Sequence, residues 1–598
     1  MFNMFKDQPL WQVSKSLSAV AMGRESADLV IKDAKLINVC TKEIMEHMDV
    51  AIKNSRIALV GDATHCIGEE TTVIKANGRY IAPGFLDGHI HVESSMMSVS
   101  EYAKAVVPHG TIGIYMDPHE ICNVLGMDGV RYMIEDGKHT PLKNMVTTPS
   151  CVPAVPGFED TGAFIGPEEV AESMKWDSVV GLGEMMNYPG IIGSDDQTHR
   201  IVGETLKANK TVTGHWSVSD TGKGLSAYIA SGVRACHEST SKEEALAKMR
   251  LGMYAQFREG SAWHDLKDVA RSITEENIDT RFAMLISDDT HPHTLMEDGH
   301  LDHIVRRAVE EGIDVLTAIQ MVTINCAQAF HMDQDLGSIT PGKCADIVFL
   351  DNLTDLNVNE VIIDGNVVAK DGKMCIELEK YEFPEKATNT MHIKETITSD
   401  SFKIETKKEG NTEVRVIEII PEKVGTYERH ITVPVKDGYI QADPSQDVLK
   451  AVVFERHNYT GTKGFGFVKG FHIKNGAMAS TVAHDAHNLL VLGSNDEDMA
   501  IVANALVECG GGMAVAQGGK LIGVLPLPIA GLMNNKPVDE MAEMVAKVTK
   551  AWEAIGCNIV SPYMTMALIP LACLPELRLT NRGLVDCTTF QFVPLEIE

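Results

Sequence analysis

Two histidines in the first half of the chain are spaced to bind a metal ion. His89 and His91 lie in PGFLDGHIHVESS (83–95), two residues apart in a predicted strand, so their side chains point to the same side. Two neutral imidazoles at this spacing can chelate one divalent cation. An isolated pair of this kind is more often a pair of buried or surface histidines than a metal site. The metal-site prediction therefore depends on which other residues accompany the pair.

Further metal-binding side chains stand at the ends of later predicted strands. They are Glu184 in VVGLGEMM, His215 in TVTGHW, His237 and Glu238 in VRACHEST, and Asp288 and Asp289 in FAMLISDDTHPH. Histidines and carboxylates around one rim can hold two cations, with one carboxylate shared between them. The alternative, a set of loop histidines and helix-capping acids, does not explain why ionisable residues recur at corresponding strand ends.

The elements that must position these residues alternate between short apolar strands and helices over residues 84–336. The predicted strands end at His89, Asp117, Ser150, Glu184, His215, His237, near Phe257, and at Asp288. Eight strand–helix units in about 250 residues are typical of an α/β fold, the (β/α)8 barrel, whose chemistry lies at the carboxyl ends of its strands. A doubly wound sheet is the alternative, but no GxGxxG opens a helix after the first strand.

The flanks of this region predict three further parts. Residues 27–83 and 337–372 share the same strand-rich sequence pattern, which predicts one small composite β domain interrupted by the barrel. Residues 1–26 read as an N-terminal amphipathic segment, and the charged, irregular residues 373–400 read as a linker. Residues 400–598 predict a C-terminal α/β domain.

Composition excludes several classes of function. Lys and Arg number 53 against 83 Asp and Glu, a net charge of −30, which disfavours binding to nucleic acid or to an anionic membrane. No apolar run reaches the ~18 residues of a membrane-spanning helix, and no signal peptide is evident. The 12 cysteines are scattered without a CxxC pair, which favours reduced thiols and a cytoplasmic location.

Longer motifs carry a family resemblance. DGHIHVESSMM, VVPHGTIGIYMDPHEICNVLG, REGSA, SDDTHP, AHDAHN, GSNDEDM and LPLPIAGLM resemble the bacterial adenine deaminase family of the amidohydrolase superfamily, over nearly the whole chain. The resemblance implies metal-dependent hydrolysis of adenine to hypoxanthine and ammonia, as in purine salvage. It also implies a divalent, binuclear metal centre, with Mn or Fe favoured and Zn possible. A homodimer is expected because it is common for such folds.

The resemblance also assigns roles to residues. His89, His91, Glu184, His215, His237 and Asp288 match the metal ligands of the family. Glu184 matches the bridging carboxylate, and Asp288, rather than Asp289, matches the proton shuttle.

Other polar residues near these strand ends are candidates for contact with substrate. His119 or Glu120 could protonate a ring nitrogen; the alternative is a polar rim with Asp117 capping the next helix. Glu93, Ser94 and Asp289 are candidate substrate-binding residues, although the serines after HxH could simply cap a helix.

Some features leave alternatives open. Trp216 with Ser217, Cys122 and Trp263 depart from the family pattern, and either reshape the substrate pocket or are packing variants. Another cyclic amidine or amide is therefore an alternative substrate, and a non-catalytic scaffold is a remoter one.

Two features of the C-terminal half are also open to more than one interpretation. A cluster of His484, Asp485, His487 and Asn488 either folds over the barrel mouth or forms a structural hydrogen-bond network; a separate metal site is less favoured. The Gly510–Gly512 run predicts a turn at a helix end rather than a phosphate loop.

Overall fold

The computed structural model describes residues 9–421 and 423–597. The first eight residues of the predicted N-terminal segment lie outside this range, and the described part of that segment forms a helix at Leu10–Ala21. None of the described helices is long and apolar enough to cross a membrane.

An eight-stranded parallel barrel occupies the middle of the chain. Its strands are Phe85–Ile90, Thr111–Met116, Lys143–Thr148, Val179–Met185, Thr211–Gly214, Val233–Cys236, Tyr254–Arg258 and Ala283–Ile286. Nearly every residue in them is buried, as expected for strands covered on both faces. The barrel closes between its first and eighth strands, because Asp288 N donates to the His89 carbonyl and His91 N donates to the Asp288 carbonyl, both at 3.0 Å. The predicted fold class is confirmed.

Helices surround the barrel and connect its strands. They are Val99–Val106, His119–Leu125, Met127–Gly137, Pro167–Ser173, Tyr188–Ile192, Asp196–Lys207, Lys223–Ala230, Lys242–Arg250, Leu266–Val269, Arg271–Thr274, Pro292–Glu297, Leu301–Glu310, Val315–Met321 and Ile324–Ala329. Short 3-10 turns lie at Val92–Ser95 and Val107–His109. Several helices begin at a side-chain cap; Ser98, for example, accepts from Glu101 N.

Strands from both flanks of the barrel form one nine-stranded sheet. They are Leu29–Asn38, Glu43–Lys53, Arg56–Gly61, Thr72–Lys75, Tyr80–Pro83, Ile347–Leu350, Val358–Ile363, Asn366–Lys370 and Lys373–Met374, with a 3-10 turn at Thr64–Cys66. Ile347–Leu350 pairs antiparallel with Tyr80–Pro83, which joins the two flanks. Asn54 and Ser55 both have positive φ and make the tight turn of the hairpin before Arg56.

The C-terminal part is built on a second, mostly antiparallel nine-stranded sheet. Its strands are Asn411–Ile419, Thr426–Lys436, Tyr439–Ile440, Val448–Phe454, Lys463–Lys469, Ala477–Ser480, Leu489–Gly493, Gly512–Gln517 and Lys520–Pro526. Leu577–Thr580, Gly583–Asp586 and Gln591–Val593 form a small third sheet. The helices are Glu385–Thr388, Asp496–Cys509, Val538–Ile555 and Pro562–Ala567, with 3-10 turns at Ser399–Phe402 and Pro444–Gln446.

The glycine run ends a helix. Gly510 has φ 84° and caps Asp496–Cys509, as the turn interpretation predicts. A side chain on Gly512 would lie 1.9 Å from the Leu525 carbonyl oxygen, so close backbone packing explains the glycine there. Residues 373–400 are largely irregular but anchored, since His392 N donates to the Arg456 carbonyl at 2.8 Å.

Candidate active site

The strand ends bring the six predicted ligands into one cluster. His89 Nε2 lies 3.1 Å from both His91 Nε2 and Asp288 Oδ1. Glu184 stands at the centre of the cluster and faces three of the other ligands. Its Oε1 is 3.4 Å from His91 Nε2, and its Oε2 is 2.5 Å from His215 Nδ1 and 3.1 Å from His237 Nε2.

Asp117, which is buried, supports two of these residues, one through its main-chain carbonyl and the other through its carboxylate. His91 Nδ1 donates to the Asp117 carbonyl at 2.9 Å, which leaves its Nε2 facing the cluster, and Glu184 N donates to Asp117 Oδ2 at 2.7 Å. The next helix starts at His119 without a side-chain cap, so the helix-capping interpretation of Asp117 is wrong. Gly183 makes room, because a Cβ there would lie 2.4 Å from Asp117 Oδ2.

Asp288 lies at the barrel seam, the place where the first and eighth strands pair and close the barrel. Its backbone is in a left-handed conformation with φ 64°. Aspartate tolerates this region better than most residues, and the two backbone hydrogen bonds of the seam hold it there. Its Oδ1 faces His89, while Oδ2 accepts from Arg258 Nη1 at 3.0 Å. Arg258 Nη1 also donates to Glu238 Oε1 at 2.7 Å.

The cluster keeps its carboxylates ionised. Burial alone would raise the pKa of Glu184, but the imidazoles of His215 and His237 hold that pKa well below its usual range. Burial likewise opposes ionisation of Asp288, whereas His237 and His89 hold its pKa well below the usual range. Arg258 adds to this effect. These acids are therefore charged at neutral pH and available as ligands.

The donor set fits a pair of divalent cations. His89, His91 and Asp288 have ligand atoms within 4.8 Å of one another, and so do His89, Glu184 and His237. Imidazole nitrogens and carboxylate oxygens converge without intervening side chains, and Glu184 belongs to both sides of the cluster. Imidazole nitrogens and carboxylate oxygens that converge in this way are a ligand set that first-row divalent cations accept.

A cavity of about 330 Å³ opens above the cluster, within the usual size range of small-molecule sites. Its floor comes from the barrel. Its roof comes from the C-terminal part, namely Val424, Gly425, Val482, His484, Asp485, Tyr563, Met564, Leu568, Leu571, Cys573, Leu574 and Pro575. A mostly apolar roof over a charged floor suits a flat, weakly polar ligand.

Comparison with known proteins agrees with this geometry. A model of the amidohydrolase family matches residues 80–368, and a model of the adenine deaminase C-terminal domain matches residues 423–591. The chain is 72% identical over 598 residues to an adenine deaminase of Clostridium botulinum (strain ATCC 19397 / Type A), covering 100% of both chains. The chain belongs to the adenine deaminase family. The family predicted from the sequence is confirmed, and with it the enzyme class, a hydrolase.

More distant relatives match over a similar extent. An adenine deaminase of Moorella thermoacetica is 52% identical over 589 residues, covering 98% of this chain and 99% of its own. One of Rubrobacter xylanophilus is 43% identical over 585 residues, covering 97% and 96%. The likeness therefore extends over both the barrel and the roof.

The predicted substrate-contacting residues of this family member line the same cavity: Glu93, Ser94, His119, Glu120 and Asp289. His119 Nδ1 lies 3.1 Å from Glu184 Oε1. Burial and the neighbouring Glu120 raise the pKa of Glu93 to about 7. Burial and the charge of Asp288 raise the pKa of Asp289 to about 7.

The serine after HxH braces the loop rather than capping a helix. Ser94 Oγ donates to the His91 carbonyl at 2.7 Å and accepts from Thr290 N at 3.0 Å. It therefore ties the first-strand loop to the eighth-strand loop beside Asp288.

The departures from the family pattern lie in different places. Trp263 lines the cavity and Ser217 reaches it, whereas neither Cys122 nor Trp216 does. Trp216 is buried between Tyr188 and Tyr228, with ring centroids at 5.3 and 5.1 Å. Trp216 is thus a packing residue, and Trp263 is the tryptophan that would contact a ligand in the cavity.

The C-terminal cluster divides in two. His484 and Asp485 reach the cavity, as the interpretation of a fold over the barrel mouth predicts. His487 and Asn488 instead serve the structure, since Arg456 Nε donates to the His487 carbonyl at 2.5 Å and Arg456 N donates to Asn488 Oδ1 at 3.1 Å.

Two arginines at the site were not assigned a role from the sequence. Arg258 ends the seventh strand, so the rule that found the other strand-end residues would have found it too. Arg578 is buried behind the roof and donates to four backbone carbonyls, those of Leu568, Leu574, Val424 and Pro575. No sequence pattern indicates Arg578, because its partners are main-chain atoms.

Proposed function

We propose that the chain catalyses the hydrolytic deamination of adenine to hypoxanthine and ammonia. The observation that carries the proposal is the convergence of four histidines and two carboxylates beneath a cavity with an apolar roof. His89, His91, Glu184, His215, His237 and Asp288 would hold the divalent cations. When bound, such a cation would lower the pKa of a coordinated water towards ~7 and so supply a useful nucleophile at neutral pH.

Asp288 is the residue we assign to proton transfer. The exocyclic amine of adenine must leave as ammonia, so a proton from the attacking water has to reach that nitrogen. Asp288 is ionised, and it sits at the edge of the cavity beside His89 and His91. Arg258 Nη1 donates to its second oxygen, Oδ2, and so orients the carboxylate and keeps it charged.

Protonation of the ring nitrogen beside the attacked carbon falls to His119 or Glu120. Both line the cavity, and His119 adjoins the central carboxylate Glu184. Glu93, Ser94 and Asp289 bind substrate in this proposal, with Glu93 and Asp289 offering buried carboxyl groups and Ser94 holding the loop. Each group must lie within hydrogen-bond reach of the base in the complex.

The remaining sequence-based expectations are part of the same proposal. The family resemblance favours Mn or Fe for the centre, with Zn possible, and histidine with carboxylate suits all three metals. The domain boundaries 27–83 with 337–372, 84–336 and 400–598, the homodimer, the place in purine salvage and the cytoplasmic location remain predictions.

The direct test is a substrate panel with metal-loaded protein. Ammonia release and hypoxanthine formation are measured for adenine, adenosine, guanine and cytosine. We expect equimolar hypoxanthine and ammonia from adenine at rates far above the other bases. Turnover of another cyclic amidine without turnover of adenine would support metal-dependent hydrolysis but contradict adenine as the substrate.

A further inference from the structure

A charged pair from the C-terminal part reaches across the cavity to the barrel. Asp485 Oδ1 lies 3.5 Å from His484 Nδ1 and 3.8 Å from His119 Nε2. His119 in turn lies 3.1 Å from Glu184 Oε1 through its other ring nitrogen. One imidazole ring therefore separates Asp485 from Glu184, at the centre of the metal-binding cluster.

The Asp485 carboxylate is incompletely satisfied. The residue is 3% exposed, and its Oδ2 has no hydrogen-bond partner among the described residues. A buried charged oxygen without a partner is costly, so such a group in a cavity wall is expected to gain a donor when a ligand binds. Among the other roof residues, Leu571 and Leu574 are apolar, and the thiol of Cys573 is only a weak donor.

We propose that Asp485, supported by His484, binds the imidazole-ring N–H of a free purine base and so selects the base over its nucleoside. The inference rests on the proposed function, because it places adenine in this cavity. A carboxylate accepts hydrogen bonds and donates none, and free adenine carries one ring N–H, at N9 or N7. In a nucleoside or in 9-methyladenine, the N9–H is replaced by carbon.

The roof strengthens this selection. Leu568, Leu571, Leu574 and Pro575 line the same cavity as Asp485, so a sugar on N9 would meet apolar side chains and leave the carboxylate unpaired. A site built to hydrogen-bond one N–H rejects an analogue that lacks it far more strongly than a hydrophobic pocket rejects an extra methyl group. Asp485 is thus a specificity-determining residue contributed from outside the barrel.

The test compares adenine with 9-methyladenine in metal-loaded wild type, Asp485→Ala and Asp485→Asn. Dissociation constants come from titration calorimetry in the Asp288→Asn background, where turnover of adenine is slow, and ammonia release and metal content are measured for the same Asp485 substitutions in the otherwise unchanged chain. Asp539→Asn is the matched control, because it changes an exposed aspartate of the same part of the chain outside the cavity. The Asn variant keeps the side-chain volume in case the Ala variant folds poorly.

We expect wild type to bind adenine about 100-fold or more tightly than 9-methyladenine. Asp485→Ala should weaken adenine binding about 10- to 100-fold and leave 9-methyladenine nearly unchanged, so that the preference largely disappears. The preference of Asp485→Asn for adenine should lie between those of wild type and Asp485→Ala. The Asp539→Asn control should match wild type. An equal loss for both ligands, an unchanged preference, or metal loss in the Asp485 variants would overturn the inference.

The same measurements separate this inference from the proposed function. Adenine binding with the expected preference but no ammonia would contradict only the deamination. Ammonia release with an unchanged preference in the Asp485 variants would contradict only the role of Asp485. Absence of both binding and release would contradict both.

Discussion

The barrel floor and the C-terminal roof face the same cavity but are held in place differently. The floor is made of charged side chains at strand ends, and their positions follow from strand register and from the seam at Asp288. The roof is mostly apolar and irregular, and its carbonyls are tied together by the buried Arg578. The floor thus carries the catalytic groups, and the roof selects the ligand. Substitutions in the floor and in the roof should therefore change different kinetic parameters.

The largest expected effect is removal of the first-strand pair. His89→Asn with His91→Asn takes away two converging nitrogens, so the protein should lose its metal and, with it, all measurable ammonia release. Elemental analysis and an ammonia assay check this. Full metal occupancy in the double variant would remove these residues from the ligand set.

Asp288→Asn should retain at least part of the metal and lose about 10²–10⁴ in kcat, because Asn keeps one coordinating oxygen but cannot take up the proton. Steady-state kinetics and metal analysis measure both. Asp289→Asn is the matched control at the neighbouring position and should lose less rate. The reverse ranking, with metal retained in both variants, would show that Asp289 is the shuttle.

Arg578→Met should loosen the roof without touching the floor. The carbonyls of Leu568 and Pro575 keep a second donor, Leu571 N and Thr426 N, but those of Val424 and Leu574 lose the donor that Arg578 provides. Buried unsatisfied groups cost on the order of 1–3 kcal/mol each, so the thermal midpoint should fall and KM for adenine should rise. Arg582→Met, on the exposed side of the same small sheet, should have little effect. Unchanged KM and midpoint in Arg578→Met would mean that the roof does not depend on this residue.

The smallest effect distinguishes two tryptophans. Trp263→Phe removes cavity surface and should change KM for adenine by about 10-fold or less, in keeping with a hydrophobic contact. Trp216→Phe alters packing between two tyrosines and should lower the thermal midpoint with KM nearly unchanged. A larger KM change for Trp216 than for Trp263 would show that the cavity extends further than the structure indicates.

Sequence predicts the floor far better than the roof, for a physical reason. A residue at the carboxyl end of a barrel strand is placed by periodicity, which is why His89 and Glu184 could be picked out, whereas the choice of Asp288 over Asp289 came from the family resemblance. Asp117 was harder, because whether it caps a helix or supports Glu184 depends on its side-chain direction. Asp485 meets His119 only through the packing of distant segments, and no local pattern records that contact.

Comparison of Asp288→Asn with Asp485→Asn in adenine kinetics tests the central claim, that the floor reacts and the roof selects. With metal content matched, Asp288→Asn should lower kcat with KM nearly kept, and Asp485→Asn should raise KM with kcat nearly kept. If both variants changed the same parameter by similar factors, the division of labour between the floor and the roof would be contradicted.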